Sequence, residues 1–500
     1  MTTPTNVSEL QGSGAIQQRF AGRAITISPE VLGYLAASGA EVLTDELERA
    51  ATSRDWWPLS IGWAAQGRVG ALAAAVVRPH STEEVSAVLA ICHKAGIPVT
   101  PVAGRSGVCG GSIPIHGGVS LDLTELDRVL EVDETSLTLR VQAGVFGPDL
   151  EAHLGRTGAG YTLGHWPQSM DLSTVGGWLA CRGAGQYSTR YGKIEDMVRG
   201  LTVVLADGTV VVTEGTGPRA ATGPNLTQLF VGSEGTLGVI TEATFSIRPL
   251  PGSEQRGAWG FSTFDEGLDA CRRILRRGAT PAVLRLYDEI ESKRNFGEDC
   301  NVLIVLDEAD AALVEATMRI VTEEVGQATV LDIAHVATWL GHRNDVSALR
   351  PLWEAKVVVD TIEMSGPWGS LQPVYDEVLA ALRGIEGTMV ASVHQSHAYS
   401  DGACLYFTFA GRVSEKPDDG YGDLAAEEAY YRQCWDAATT VIERHGAAIS
   451  HHHGIGMNRG RFLAGALGAA HDTLRAIKAT LDPVGILNPG KLGLGDEVDW

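Results

Sequence analysis

The chain has 500 residues, 44% hydrophobic and 20% charged, with a formal net charge of −22; this acidity argues against a nucleic-acid or anionic-membrane surface, and the length calls for two or three domains. Seven scattered cysteines without a CxxC pair read as reduced thiols, not as a disulfide framework or structural zinc. MTTPTNVSEL lacks a basic-then-apolar signal and no apolar run approaches the roughly 20 residues of a membrane span, so a cytoplasmic protein is expected.

The first fifty residues are weakly patterned and read as a helical preface. Ala74 to Pro79 reads as a buried strand. Ser81 then caps a helix from Thr82 to Lys94, with Glu83 and Glu84 in its first turn and Val85, Val88, Leu89 and Cys92 as its apolar stripe. A strand over Ile97–Val102 leads into a glycine loop. Short strands dominate from Val119 to Val212, and Pro249, Pro251 and Gly252 mark a boundary. Beyond it strands are expected at 302–306, 359–364, 388–394 and 404–410. Helices are expected near 310–325, 370–383, 427–445 and 461–481, and a polar loop at 418–423. This mixture predicts a second, α+β domain.

Three glycine-rich stretches stand out. The first, PVAGRSGVCGGS, contains Pro101, Val102, Ala103, Gly104, Arg105, Ser106, Gly107, Cys109, Gly110 and Ser112. Its glycines allow peptide N–H groups to converge on phosphate oxygens, yet it fits neither a Walker loop nor GxGxxG. The second runs from Thr162 to Val198 and includes Asp171, Ser173, Thr174, Gly176 and Gly177. The third, VGSEGTLGVIT, includes Glu234, Gly235, Gly238 and Ile240. Each alone also reads as an ordinary turn or hairpin corner. In this order and spacing they resemble the FAD-binding domain of the vanillyl-alcohol oxidase and p-cresol methylhydroxylase (PCMH) family, over about residues 68–250. The resemblance implies an α+β fold: a two-lobed PCMH-type FAD-binding domain plus an α/β cap. It also implies that the first two stretches cradle the pyrophosphate and the third holds adenine-side and ribityl atoms. Some relatives attach FAD through a histidine where this chain has Cys109, so non-covalent FAD is expected.

In the C-terminal half, Ser450-His451-His452-His453-Gly454-Ile455-Gly456 follows a helix and a short strand, which projects imidazoles from a loop. Histidine titrates near neutral pH and suits proton transfer; a polar surface loop or an adventitious metal site is the plainer reading. In Asp401 to Phe409, period two puts Leu405, Phe407 and Phe409 on one face and Cys404, Tyr406 and Thr408 on the other. Arg285 sits in an apolar strand and Arg350 precedes another; either could hold an anion or form a structural ion pair. These segments, with TIEMSGPW and LDPVGILNPGKLG, resemble the alkylglycerone-phosphate synthase family. That resemblance implies flavin N5 chemistry on a small anionic, glycerone phosphate-like substrate. By position it makes Tyr406 the acid/base, His451, His452 and His453 its histidine run, and Arg285 and Arg350 the site arginines. The family carries an arginine where this chain has His394.

The main alternative is an FAD-dependent dehydrogenase or oxidase of a hydroxy acid or alcohol. Metal-dependent members of that group resemble GHxGDGNxH followed by EHG. Here Ala398, Leu405 and His452 stand at the ligand positions, so no metal is expected; His394, His397 and the triple histidine offer a different ligand set. The expected units are a preface (1–59), the FAD-binding domain (60–250), a substrate or cap domain (251–440) and a segment returning to the FAD domain (441–500). A homodimer is compatible with the sequence.

Overall fold

A computed structural model describes residues 16–20, 24–213, 217–347, 349–413 and 424–495. The polar loop expected at 418–423 lies outside them. In the N-terminal lobe, the helix Thr82–Ala95 starts as the sequence dictates: Ser81 Oγ accepts from Glu84 N at 3.2 Å, and Gly96 ends the helix at φ +63°. The helix connects the strands Ala75–Arg78 and Val99–Val102, both of which pair in parallel with Val119–Asp122, as parallel strands joined by a crossover must. A fourth strand, Glu41–Leu43, adds antiparallel to Ala75–Arg78. Part of the expected helical preface is therefore a strand of this lobe, alongside short helices at Pro29–Ala37 and Glu46–Thr52.

An antiparallel five-stranded sheet follows, ordered Val210–Val212, Val198–Val204, Val239–Ser246, Thr138–Gln142, Val129–Asp133. Four helices, Gly147–Arg156, Val175–Cys181 and the single turns Ser188–Tyr191 and Ile194–Met197, interrupt the region expected to be mostly strands. The second is glycine-rich and weak by propensity; Thr174 supports it by accepting from Gly177 N at 3.4 Å.

The cap is a seven-stranded antiparallel sheet. In order its strands are Thr329–Val330, Ser253–Phe261, Asn301–Ala309, Val283–Tyr287, Thr388–Ala398, Gly402–Gly411 and Val358–Pro367. Leu284, Leu286, Leu303, Val305, Phe407 and Phe409 pack on one face with residues of the helices Phe264–Arg276, Ala311–Val325, Trp368–Arg383 and Leu424–Arg444. Val283, Tyr287, Val302 and Ile304 share a core with Tyr187, Tyr191 and Trp178 of the N-terminal lobe. One face of the sheet is thus closed by helices and the other lies over that lobe.

The helix expected at 461–481 is broken. Gly468, at φ +53° and ψ −132°, separates Gly460–Leu467 from Ala469–Leu481, a backbone conformation closed to other L-residues. The second piece still braces the N-terminal lobe: Leu474, Ile477 and Leu481 pack against its core, and Lys478 Nζ donates to Thr236 O at 2.8 Å. Leu467, on the first piece, is 42% exposed and leaves the expected stripe.

Candidate active site

The loop after Val99–Val102 is built around unpartnered amides. Among the described residues, no acceptor meets the N–H groups of Gly104, Arg105, Ser106, Gly107 and Val108. These residues are half-buried, and a run of successive unpartnered amides forms a nest for an anion. A Cβ on Gly104 would lie 2.3 Å from Leu172 O, so this loop presses against the turn carrying Ser173; a Cβ on Gly111 would meet nothing within 4 Å. The small residues therefore serve close approach on one side and leave open space on the other. Ser173 Oγ accepts from Trp178 Nε1 at 2.7 Å, Gly176 N donates to Ala143 O at 2.7 Å, and Asp171 is exposed at the start of the turn. Asn488 Nδ2 joins the first and third stretches by donating to Gly111 O (3.2 Å) and Glu234 O (2.8 Å). These loops fit a dinucleotide diphosphate.

Some expected contacts are engaged elsewhere. The Arg105 guanidinium donates to Ala51 O, and the Glu234 carboxylate accepts from Ile455 N (2.6 Å) and Gly456 N (2.8 Å). Ile240 is buried and pairs with Val203, and Gly238 packs against the Val203 side chain. Gly235 lies against the Pro101 ring.

On the cap sheet, register sets a row across four strands. Glu363 pairs with Tyr406, Tyr406 with His394, and His394 with Tyr287; laterally paired side chains on one face touch. The Tyr406 and His394 rings stack with centroids 4.8 Å apart. Tyr406 Oη accepts from Thr361 Oγ1 at 3.0 Å and has His453 Nε2 at 3.5 Å. Burial pushes its phenol well above the usual range. Arg285 belongs to the same face, and its Nε donates to Tyr287 Oη at 3.1 Å.

Glu363 organises the histidine run. It accepts from the backbone amides of His451, His452 and His453, from Ser450 Oγ at 2.9 Å and from Arg459 Nη1 at 2.8 Å. Burial opposes its charge, but Arg459 and the neighbouring histidines more than offset this and hold the carboxyl well below the usual range. The imidazoles are also linked: His451 Nδ1 faces His452 Nδ1 at 3.0 Å, Tyr399 Oη meets His451 Nε2 at 2.9 Å, and Ser188 Oγ bonds both His397 Nδ1 and Tyr399 Oη. Desolvation, and the cost of charging one imidazole beside another, push His451 and His452 down to about 3 and His453 to about 4. The sequence suggests histidines titrating near neutrality; in this setting they are neutral. His397, His451 and His452 are a set with ligand atoms within 4.8 Å of one another. His397 Nδ1, His452 Nδ1 and both nitrogens of His451 already meet hydrogen-bond partners.

These groups surround a small cavity that opens to solvent. Arg285, His394, Ser396, His397 and Tyr406 line it from the cap and His452 from the loop; Gln168, Ala184 and Gln186 complete it. No carboxylate lines it. Arg350 is not brought here: it lies on the helix Leu349–Glu354, with its Nε 2.8 Å from Glu354 Oε1. Glu291 was not singled out in the sequence. It accepts from His394 Nδ1 (2.8 Å), Ser392 Oγ (3.1 Å) and Thr408 Oγ1 (3.2 Å). A glutamate in the first turn of an ordinary helix gives no signal of that role.

Comparison with known proteins agrees with this architecture. Residues 73–214 match the family described as FAD binding domain, and residues 250–492 match FAD linked oxidases, C-terminal domain. An alkyldihydroxyacetonephosphate synthase of Dictyostelium discoideum is 30% identical over 459 residues, 83% of this chain and 72% of that protein. An uncharacterized FAD-linked oxidoreductase of Escherichia coli O157:H7 is 33% identical over 439 residues, 84% of this chain and 88% of that one. The chain belongs to the FAD-linked oxidase family. Its fold is shared with a solved alkyldihydroxyacetonephosphate synthase (26% identity, TM-score 0.75, covering 93% of this chain and 86% of that one). It is also shared with p-cresol methylhydroxylase (17% identity, TM-score 0.73, covering 94% and 98%). The PCMH-type fold and the FAD cofactor implied by the glycine loops are thereby confirmed.

In this member of the FAD-linked oxidase family, no helix among the described residues is long and apolar enough to cross a membrane. Cys109 takes the place where some relatives attach flavin. Its Sγ contacts Gly454 O at 3.6 Å, and burial pushes its thiol well above the usual range, which disfavours a reactive thiolate. Acid precipitation is therefore expected to give a colourless pellet and a yellow supernatant; a yellow pellet would refute non-covalent binding.

Proposed function

We propose that this flavoprotein acts on a small anionic, glycerone phosphate-like substrate in the manner of alkylglycerone-phosphate synthases. The observation that carries the reading is that Arg285, His394 and Tyr406, on three neighbouring strands of the cap sheet, line one cavity free of carboxylates. The amides of Ala103 to Cys109 and the Ser173–Gly177 turn would hold the diphosphate of FAD, with Pro101, Val102, Gly110, Ser112 and Asp171 around them. Glu234, Gly235, Gly238 and Ile240 would hold the rest through backbone groups. Bound there, FAD supplies a ring that accepts electrons or substrate carbon. Tyr406, protonated at neutral pH, donates a hydrogen bond or proton to a substrate oxygen and takes that proton back on the return step, while Thr361 and the neutral His453 orient its hydroxyl. Arg285 anchors the anionic group by its unengaged guanidinium nitrogens. His451 and His452 join a hydrogen-bonded chain with Tyr399 and Ser188.

An oxidoreductase acting on a hydroxy acid or alcohol is the second reading. His394 favours it: the synthase pattern has an arginine there, and here an imidazole bonds the buried Glu291. Anaerobic mixing separates the two. Acylglycerone phosphate plus fatty alcohol should give alkyl product without net flavin bleaching. Stoichiometric bleaching by a hydroxy acid, with no alkyl product, would replace the synthase reading with the oxidoreductase one.

A further inference from the structure

We propose that His394 is the base that takes the proton of an alcohol hydroxyl in this cavity, with Glu291 as the residue that positions it. The proposal rests on the flavoenzyme reading and gives a task to a side chain which that reading leaves idle. Both candidate reactions need the step. An incoming alcohol must lose its proton to form an ether bond, and an alcohol or hydroxy acid must lose it to become a carbonyl compound. Where the synthase pattern has an arginine, which cannot accept a proton, this chain has an imidazole, which can.

The ring of His394 is held on both faces, by Tyr406 at 4.8 Å and 24° and by Tyr287 at 5.2 Å and 30°. Its Nδ1 lies 2.8 Å from Glu291 Oε2, while Nε2 meets no partner among the described residues. The two nitrogens of an imidazole point in divergent directions. Glu291 is 1% exposed and does not line the cavity, whereas His394 does. A ring that turns Nδ1 to the carboxylate therefore turns Nε2 away from it, to the side shared with Arg285 and Tyr406. Of the cavity-lining histidines, His397 has Ser188 on Nδ1 and His452 has His451; among the described residues His394 alone bonds a carboxylate there.

Glu291 is fixed just as firmly. Asp288 caps its helix, Glu289–Phe296, by accepting from Glu291 N at 2.8 Å, and its other oxygen accepts from Val393 N at 3.0 Å. One side chain thus ties the helix of the carboxylate to the residue beside the imidazole. Ser392 Oγ and Thr408 Oγ1 both donate to Glu291 Oε1, which leaves Oε2 for the ring. Burial opposes the charge of Glu291, but His394 and Arg294 outweigh it and hold the carboxyl at about 2. An ionised carboxylate only accepts, so it keeps the ring proton on Nδ1 and leaves the lone pair on Nε2. Burial pushes His394 below the usual imidazole range, although Glu291 pulls the other way, so the ring is neutral and able to receive a proton. In the step, the hydroxyl O–H bond breaks and an N–H bond forms at Nε2. The oxygen's electron pair enters a new bond to carbon. This is the ether bond when the alcohol replaces the acyl carboxylate, or the carbonyl bond when the hydroxyl carbon gives its hydrogen and two electrons to FAD. Glu291 neutralises the imidazolium, which then releases its proton through the solvent-open cavity.

The test uses holoenzyme. Alkyl product is assayed with acylglycerone phosphate and hexadecanol, and anaerobic flavin bleaching with D-lactate and glycolate; the reaction that proceeds identifies which hydroxyl is deprotonated. His394→Gln should lower kcat by roughly 10²–10⁴-fold with KM within about threefold. Glu291→Gln should lower kcat at least about tenfold, again with little change in KM. In His394→Ala, added imidazoles should restore turnover in order of their base strength, which a ring needed only for packing would not produce. His394→Arg should stay inactive. Near-wild-type turnover in His394→Gln, or rescue indifferent to base strength, overturns the proposal; an unchanged kcat in Glu291→Gln overturns the positioning role. Neutron diffraction from wild-type holoenzyme crystals at mildly alkaline pH needs no variant: deuterium should sit on His394 Nδ1 and not on Nε2. Deuterium on Nε2 overturns the assignment. A holoenzyme that forms no alkyl product and is bleached by no hydroxy acid defeats the functional reading and this proposal with it, whereas turnover that survives His394→Gln defeats this proposal alone.

Discussion

Replacing Tyr406 by Phe is expected to lower kcat by roughly 10²–10⁴-fold, with FAD content and the yellow colour unchanged. Phe keeps the ring that stacks on His394 and removes only the oxygen between Thr361 Oγ1 and His453 Nε2. Packing should survive, so the loss falls on turnover and not on folding. The neighbouring histidines cannot replace the missing acid: burial keeps His451, His452 and His453 neutral well below pH 7. kcat and the flavin spectrum, measured on the same preparation, decide the matter. Turnover equal to wild type would remove Tyr406 from the chemistry and leave it as a wall of the cavity.

Glu363→Gln should destabilise the fold by about 3–5 kcal/mol, because removing one charge of a buried pair strands the other. Glutamine matches the size of glutamate and still offers a carbonyl to the loop amides, but Arg459, 1% exposed at its side chain, loses its counter-ion. Denaturant unfolding of wild type and variant measures the difference, and its pH dependence checks the cause. The folded carboxyl titrates below its ordinary value of 4.5. Its contribution is therefore complete above about pH 4.5 and fades as the pH drops toward the folded value. The gap between the two proteins should narrow on acidification; a gap constant down to the acid transition would show that charge is not what Glu363 contributes.

Local pattern carried the parts of this molecule that obey local rules. The alternation of Leu405, Phe407 and Phe409 with Cys404, Tyr406 and Thr408 gave both the strand and its two faces, because a half-buried strand has no other way to sort them. Ser81 and Gly96 similarly bound a helix at both ends. Misplaced features came from one of two causes. Gly468 breaks a helix whose apolar spacing looks continuous, and glycine spacing alone does not reveal its torsion. Arg350 was grouped with Arg285 by family position, although Glu354 four residues later already offered the helical partner it takes. Glu291 and Asn488 were not singled out for another reason: their roles arise from contacts across more than a hundred residues, with His394 and Glu234, which no local pattern reports. Glu363 was closer to legible, since a lone carboxylate between Ile362 and Met364 demands a partner in the interior.

The segment that presents the imidazoles is fastened at both sides. Glu363 of the cap receives the amides of His451 to His453, while Glu234 receives those of Ile455 and Gly456, and Cys109 O those of Met457 and Asn458. A hinge motion that lifted the upper half off the lower would have to tear this seam. A route in and out that leaves the seam intact is local movement of the cavity walls.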